Sequence, residues 1–253
     1  MKAHIELGSR GALNAAHRGD VVVLIDALRA SVTITSALVA GASRVIPVLT
    51  VEESLALRRQ NGHLVAGERG GVKVEGFDFG NSPTELLTHR ENVDGRSLIL
   101  TTSNGTRCVQ VGLSNGASAI LVAAPPNATA AVHAAWGLAG QLDRDIALLA
   151  AGLDDAPSDE DTFTAQVLLL MLETEHGVAR MYPVDESVSR AESRAMFVNS
   201  EAGQRLSSLG YARDVEFCAQ FDTLDLVPVY RDGLGFVPMN ADWTHLPEET
   251  ENV

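Results

Sequence analysis

Short, β-branched apolar runs alternate with helical segments from about residue 20 to residue 150, and few architectures accept that rhythm. The first run, Asp20-Val21-Val22-Val23-Leu24-Ile25-Asp26, is continuous and apolar, the pattern of a strand covered on both faces. A helix over 30–40 follows, opened by Ser31 and closed by Gly41. The alternation continues with strands at 44–49, 63–66, 97–101, 117–123 and 145–150. Helices are expected between them at 51–60, 83–89, 105–113 and 127–142. Strands spaced by helices of this length imply right-handed crossovers, hence an α/β fold: a three-layer α/β/α arrangement with a mainly parallel or mixed central sheet. Beyond Ala151 the pattern turns helical, with segments expected at 161–175, 184–197 and 200–209. A terminal hairpin is expected at 223–239 around the Asp232-Gly233 turn. Residues 1–240 read as one domain, and 241–253 as a polar, acidic tail.

In an open parallel sheet, ligands bind beyond the carboxyl ends of the strands, where helix N-termini point. Four polar clusters of this chain fall there. Asp26-Ala27-Leu28-Arg29-Ala30-Ser31 follows the first strong strand, and Glu68-Arg69 opens a glycine-rich stretch after the third. Thr101-Thr102-Ser103-Asn104-Gly105-Thr106-Arg107 follows the next, and Gly152 to Asp155 with Asp159-Glu160-Asp161 follows a later one. The stretch 67–83 is expected to be a long loop in which five of seventeen residues are Gly, with Ser82 as N-cap and Pro83 in the first turn of the next helix. Each cluster also has a plain structural reading: Asp26 as a helix cap, Asn104-Gly105 as a turn, the acidic triplet as a favourable helix start. Taken together they describe carboxylates able to hold a divalent cation of the Mg²⁺ kind beside arginines, amides and hydroxyls able to hold an anion.

The charge balance narrows the partners. Thirty-three acidic against nineteen basic residues give −14, a field that repels nucleic acid and anionic membranes and leaves small molecules and cations. Cys108 and Cys218 have no metal-type spacing, no run approaches a membrane span, and a cytoplasmic protein is expected. A homodimer is left open. There is no dinucleotide fingerprint after the first strand, no Walker-type phosphate loop and no Gly-x-Ser-x-Gly elbow.

Asp26 to Ser31, Gly67 to Gly71, Gly76 to Pro83 and Thr101 to Arg107, with Leu209-Gly210-Tyr211, Asp214-Val215, Cys218-Ala219 and Val227-Pro228, resemble the signatures of the 2-phosphosulfolactate phosphatase family. The resemblance covers roughly residues 20–230. It implies a Mg²⁺-dependent acid phosphatase of coenzyme M biosynthesis acting on a small substrate that bears phosphate, carboxylate and sulfonate. Ala202 stands where the family usually has His, and Leu153 where a Thr is usual. The site expected from residues and resemblance together has Asp26, Arg29, Glu68 and Arg69 as catalytic groups. Asp26, Glu68, Glu160 and Asp161 are the candidate metal carboxylates, while Ser31, Asn81, Ser82, Thr102, Asn104, Gly105, Thr106 and Arg107 are expected to contact substrate. Hydrolysis is expected by direct attack of water, because Leu28 occupies the place where aspartyl-phosphate enzymes carry a second Asp. The alternative of another class is a binding protein for anionic metabolites without turnover.

Overall fold

A computed structural model describes residues 1–240; the tail expected at 241–253 lies outside the described residues. The chain begins with β1 (Lys2–Leu7), α1 (Gly8–Arg18), β2 (Val21–Ile25), α2 (Ala30–Val39), β3 (Arg44–Pro47), α3 (Val51–Asn61), β4 (Leu64–Arg69) and β5 (Val72–Lys73). It continues through α4 (Pro83–Thr88), α5 (Arg90–Val93), β6 (Ser97–Thr101), α6 (Gly105–Ser114), β7 (Ala119–Val122), α7 (Ala128–Leu142), β8 (Ile146–Ala150), α8 (Asp159–His176) and β9 (Ala179–Arg180). The C-terminal portion holds α9 (Ser193–Asn199), α10 (Glu201–Ser208), α11 (Ala212–Cys218), β10 (Pro228–Arg231) and β11 (Gly235–Pro238).

The strands form one mixed, largely parallel sheet in the order β5-β4-β6-β3-β11-β10-β7-β2-β8-β1-β9. Every residue of β2 and β8 is buried, which is what their unbroken apolar sequences require of strands covered on both faces. Parallel pairing joins β2 to β7 and β8, and β6 to β3 and β4. One apolar cluster packs β2 and β8 against α7 and α8; another sets α2 and the α6 side of the sheet around Leu24, Leu98 and Val122.

Beyond β1 and α1, which the sequence reading did not place, three features depart from it. The hairpin β10–β11 does not sit at a sheet edge but wedges into its middle, pairing antiparallel with β7 through Val229–Leu121 and with β3 through Phe236–Val45. Gly235 makes this approach feasible: its φ is +92°, and a Cβ there would stand 2.4 Å from the Val45 carbonyl oxygen. Second, the stretch read as a loop from Gly67 first extends β4 and folds back as β5, pairing Glu68 with Lys73 and Arg69 with Val72. Third, the helix expected at 184–197 does not begin until a 3₁₀ turn at Arg190 and α9 at Ser193. Asp185 Oδ1 accepts hydrogen bonds from the Ser187 amide (2.9 Å) and hydroxyl (2.7 Å), a local turn that competes with helix. Ser82 does cap α4, accepting from the Glu85 amide at 3.2 Å, with Pro83 at the helix start.

Candidate active site

The ends of β2, β4, β6 and β8 open on one cavity of about 220 Å³, lined by Asp26, Glu68, Asn81, Thr102, Ser103, Asn104, Glu160 and Asp161, with Arg29 and Arg205 as its basic residues. Leu28, Leu153, Pro157 and Leu206 give it apolar walls.

Backbone amides fix the carboxylates. Asp26 Oδ1 accepts from the Ala30 amide (3.0 Å) at the start of α2, and Oδ2 from the Gly105 amide (3.1 Å) at the start of α6. The Asp26 amide in turn donates to Ser31 Oγ at 2.9 Å. Gly105 has no Cβ for a reason: one would lie 2.8 Å from Asp26 Oδ2. Asp161 bridges two strand ends, with Oδ1 accepting from the Ala27 amide (2.7 Å) and Oδ2 from the Gly152 amide (2.9 Å). Glu68 clamps two loops: Oε2 accepts from the Gly71 amide (2.7 Å), and Oε1 from both the amide and hydroxyl of Ser103 (2.9 Å each).

Such crowding raises carboxyl pKa values. Burial, with the Glu68 and Glu160 charges adding to it against the Ala30 and Gly105 hydrogen bonds, pushes Asp26 up to about 6. Burial likewise lifts Asp161, reinforced by Asp26 and Glu160, and lifts Glu160. Six acidic residues line the pocket against two arginines, so in their ionised form they carry more negative charge than its own cations offset. Two further oxygens, Asn81 Oδ1 and Thr102 Oγ1, are buried without a hydrogen-bond partner. A set of hard oxygen donors with surplus negative charge fits Mg²⁺. Among the described residues, no three of the pocket carboxylates bring ligand atoms within 4.8 Å of one another.

The arginines are used differently from one another. Arg29 is only 2% exposed; Nη1 donates to Asp214 Oδ2 (2.8 Å), Nη2 to the Gly71 carbonyl (2.7 Å), and the guanidinium lies 4.2 Å above the Tyr211 ring. Asp214 also accepts from Ser82 Oγ (2.9 Å) and from Thr84. Arg29 and Ser82 thus join the helical C-terminal portion to the sheet's carboxyl edge. Arg69 turns away from the cavity, donating to Thr101 Oγ1 (3.0 Å), Leu49 O (3.3 Å) and its neighbour's carbonyl. Arg107 faces Asp155 at 3.7 Å and does not line the cavity; nor do Ser31, Gly105 and Thr106, whose bonds brace Asp26 and the Thr102 loop. Asn104 does line it, its Oδ1 accepting from the Asp154 amide at 3.1 Å.

Sequence reasoning missed Arg205 and the pocket role of α10. Arg205 lines the cavity one turn after Ala202 and donates to the Gly70 carbonyl at 3.0 Å, so it spans the mouth from helix to glycine turn. Ala202, standing where the family usually has His, was the available signal, since a residue one turn further on shares that helix face.

The family model for 2-phosphosulpholactate phosphatase matches residues 10–233. A protein of Carboxydothermus hydrogenoformans named probable 2-phosphosulfolactate phosphatase is 36% identical over 211 residues, 82% of this chain and 84% of the relative. Proteins of the same name from Symbiobacterium thermophilum (35% over 229 residues, 85% and 93%) and Thermotoga petrophila (37% over 215 residues, 84% and 89%) are similar across the same extent.

Proposed function

The chain belongs to the 2-phosphosulfolactate phosphatase family of phosphoric monoester hydrolases, and from that premise we propose that it is a cytoplasmic, Mg²⁺-dependent enzyme hydrolysing 2-phosphosulfolactate to sulfolactate and phosphate. The observation that carries the reading is the convergence of Asp26, Glu68, Glu160 and Asp161 with Arg205 on one small cavity at the carboxyl ends of the strands.

Asp26, Glu68 and Glu160 would hold the ion, with Asn81 Oδ1 and Thr102 Oγ1 offering further oxygens. Bound there, Mg²⁺ would offset the carboxylate charge and polarise the phosphoryl group. Asp161, with both oxygens on backbone amides, positions the ends of β2 and β8 and is a positioning residue. Arg205 meets the anionic substrate at the mouth with charge-assisted hydrogen bonds, while the buried Arg29–Asp214 pair holds the glycine turn in place beneath it. Leu28, Leu153, Pro157 and Leu206 limit access of bulk water.

The test is phosphate release from synthetic 2-phosphosulfolactate with Mg²⁺ and with chelator. Release that requires Mg²⁺ is expected. Release from other small phospho-acids but not from this one would reassign the substrate, and none from any of them would overturn the reading.

A further inference from the structure

A second cluster of ligating groups lies at the far end of α8 from the cavity. Glu160 stands in the first turn of that helix and His176 at its last residue, about 24 Å apart at about 1.5 Å per residue. There His176 meets His133 of α7: His133 Nδ1 and His176 Nε2 are 2.9 Å apart, and Glu175 Oε2 lies 4.0 Å from His133 Nε2. One ligand atom from each of the three residues lies within 4.8 Å of the others, and theirs is the sole group of three or more His, Cys, Asp or Glu among the described residues to do so. Trp136, one turn along α7 from His133, stacks on the His176 ring at 4.4 Å and 13°, which orients the imidazole by its face rather than through its nitrogens. His133 and Glu175 are exposed and His176 is half-buried, so the cluster is open to ions from solvent on one side.

We propose that His133, Glu175 and His176 form a surface site for a divalent transition ion of the Zn²⁺ or Cu²⁺ class. Two imidazoles and one carboxylate are the donors such ions select over Mg²⁺, whereas the all-oxygen cavity has the opposite preference. Two ligands about 2.0–2.1 Å from a shared ion sit about 3 Å apart, so the imidazole nitrogens need little movement. The ion takes the place of the proton the two nitrogens share, and that proton passes through solvent to the other nitrogen of the donor ring, so both imidazoles ligate in their neutral form. An open position remains for water, and the bound ion fastens the C-terminal end of α8 to α7.

The full chain, untagged and metal-free, would be titrated with Zn²⁺ by calorimetry and with Cu²⁺ by tryptophan fluorescence, Mg²⁺ being present throughout to occupy the cavity. One saturable equivalent, with quenching that is lost in Trp136→Phe, is expected. His133→Gln and His176→Gln should each weaken binding at least tenfold while Mg²⁺-supported phosphate release stays unchanged. His133 is exposed and His176 half-buried, and circular dichroism would confirm that each variant is folded. Absence of saturable binding, or Zn²⁺ affinity retained in the double variant, would overturn the assignment and leave the imidazole pair as a hydrogen bond alone.

Discussion

Asp26 concentrates the conflict between stability and chemistry. Its carboxyl is held at about 6 by burial and by the Glu68 and Glu160 charges, against an ordinary value of 3.8. An acid whose folded pKa is raised contributes stability in full below about 3.8 and loses it as pH climbs through about 6. In metal-free protein, wild type should therefore lose on the order of 2–3 kcal/mol more than Asp26→Asn between pH 4 and pH 8. Comparing the two pH profiles by urea unfolding removes the constant cost of the hydrogen bond that the amide cannot accept. Parallel profiles would place the Asp26 titration elsewhere. Activity should move the other way, with kcat falling on the order of a hundredfold or more in Asp26→Asn. Arg205 gives a second prediction at this scale. Its guanidinium is tied only to the Gly70 carbonyl in the structure, so Arg205→Ala should barely alter stability yet raise KM about ten- to a hundredfold, the loss of a charge-assisted contact. Arg205→Lys should recover part of it. An unchanged KM in Arg205→Ala would remove the residue from substrate binding.

Among the elements, what the sequence made legible depended on whether local pattern and tertiary role agreed. The runs of β2 and β8 read as buried strands because both faces are covered and no residue has to be polar. β1 and α1 escaped notice for the converse reason: β1 has partly exposed residues beyond Ala3, and α1 buries only Gly and Ala, which leaves no apolar stripe. The clusters at the strand ends were visible because charged residues after an apolar run stand out. Arg205 was not, because a charge on an amphipathic helix reads as its solvated face. Nothing local announced that β10–β11 would enter the middle of the sheet, since register with β3 and β7 is a long-range matter. Gly235 is where that placement can be tested. Gly235→Ala sets a side chain at φ +92° and 2.4 Å from the Val45 oxygen, so a loss of about 2–3 kcal/mol or more in urea unfolding is expected. A change under about 0.5 kcal/mol would mean that the hairpin yields there without cost to the fold.

On the scale of the whole molecule, the field and the cavity pull in opposite directions. The chain carries −14, and the proposed substrate adds an anion of phosphate, carboxylate and sulfonate, so long-range forces oppose encounter. Attraction begins only at the mouth, where Arg205 stands, and within the cavity once the cation offsets the carboxylates. Monovalent salt screens the long-range part over a Debye length of about 8 Å at 0.15 M and leaves the short buried contacts less affected. With Mg²⁺ saturating, kcat/KM should consequently rise a few-fold as potassium chloride goes from low concentration to about 0.15 M. The gain should lie in KM, because kcat is set within a complex already formed. A pocket fed by a basic funnel would behave in the opposite sense, losing kcat/KM as salt screens its attraction. Steady-state rates across that range, at fixed pH and saturating Mg²⁺, decide between them: a fall in kcat/KM would mean that Arg205 at the mouth steers the substrate from beyond contact, against the net charge of the molecule.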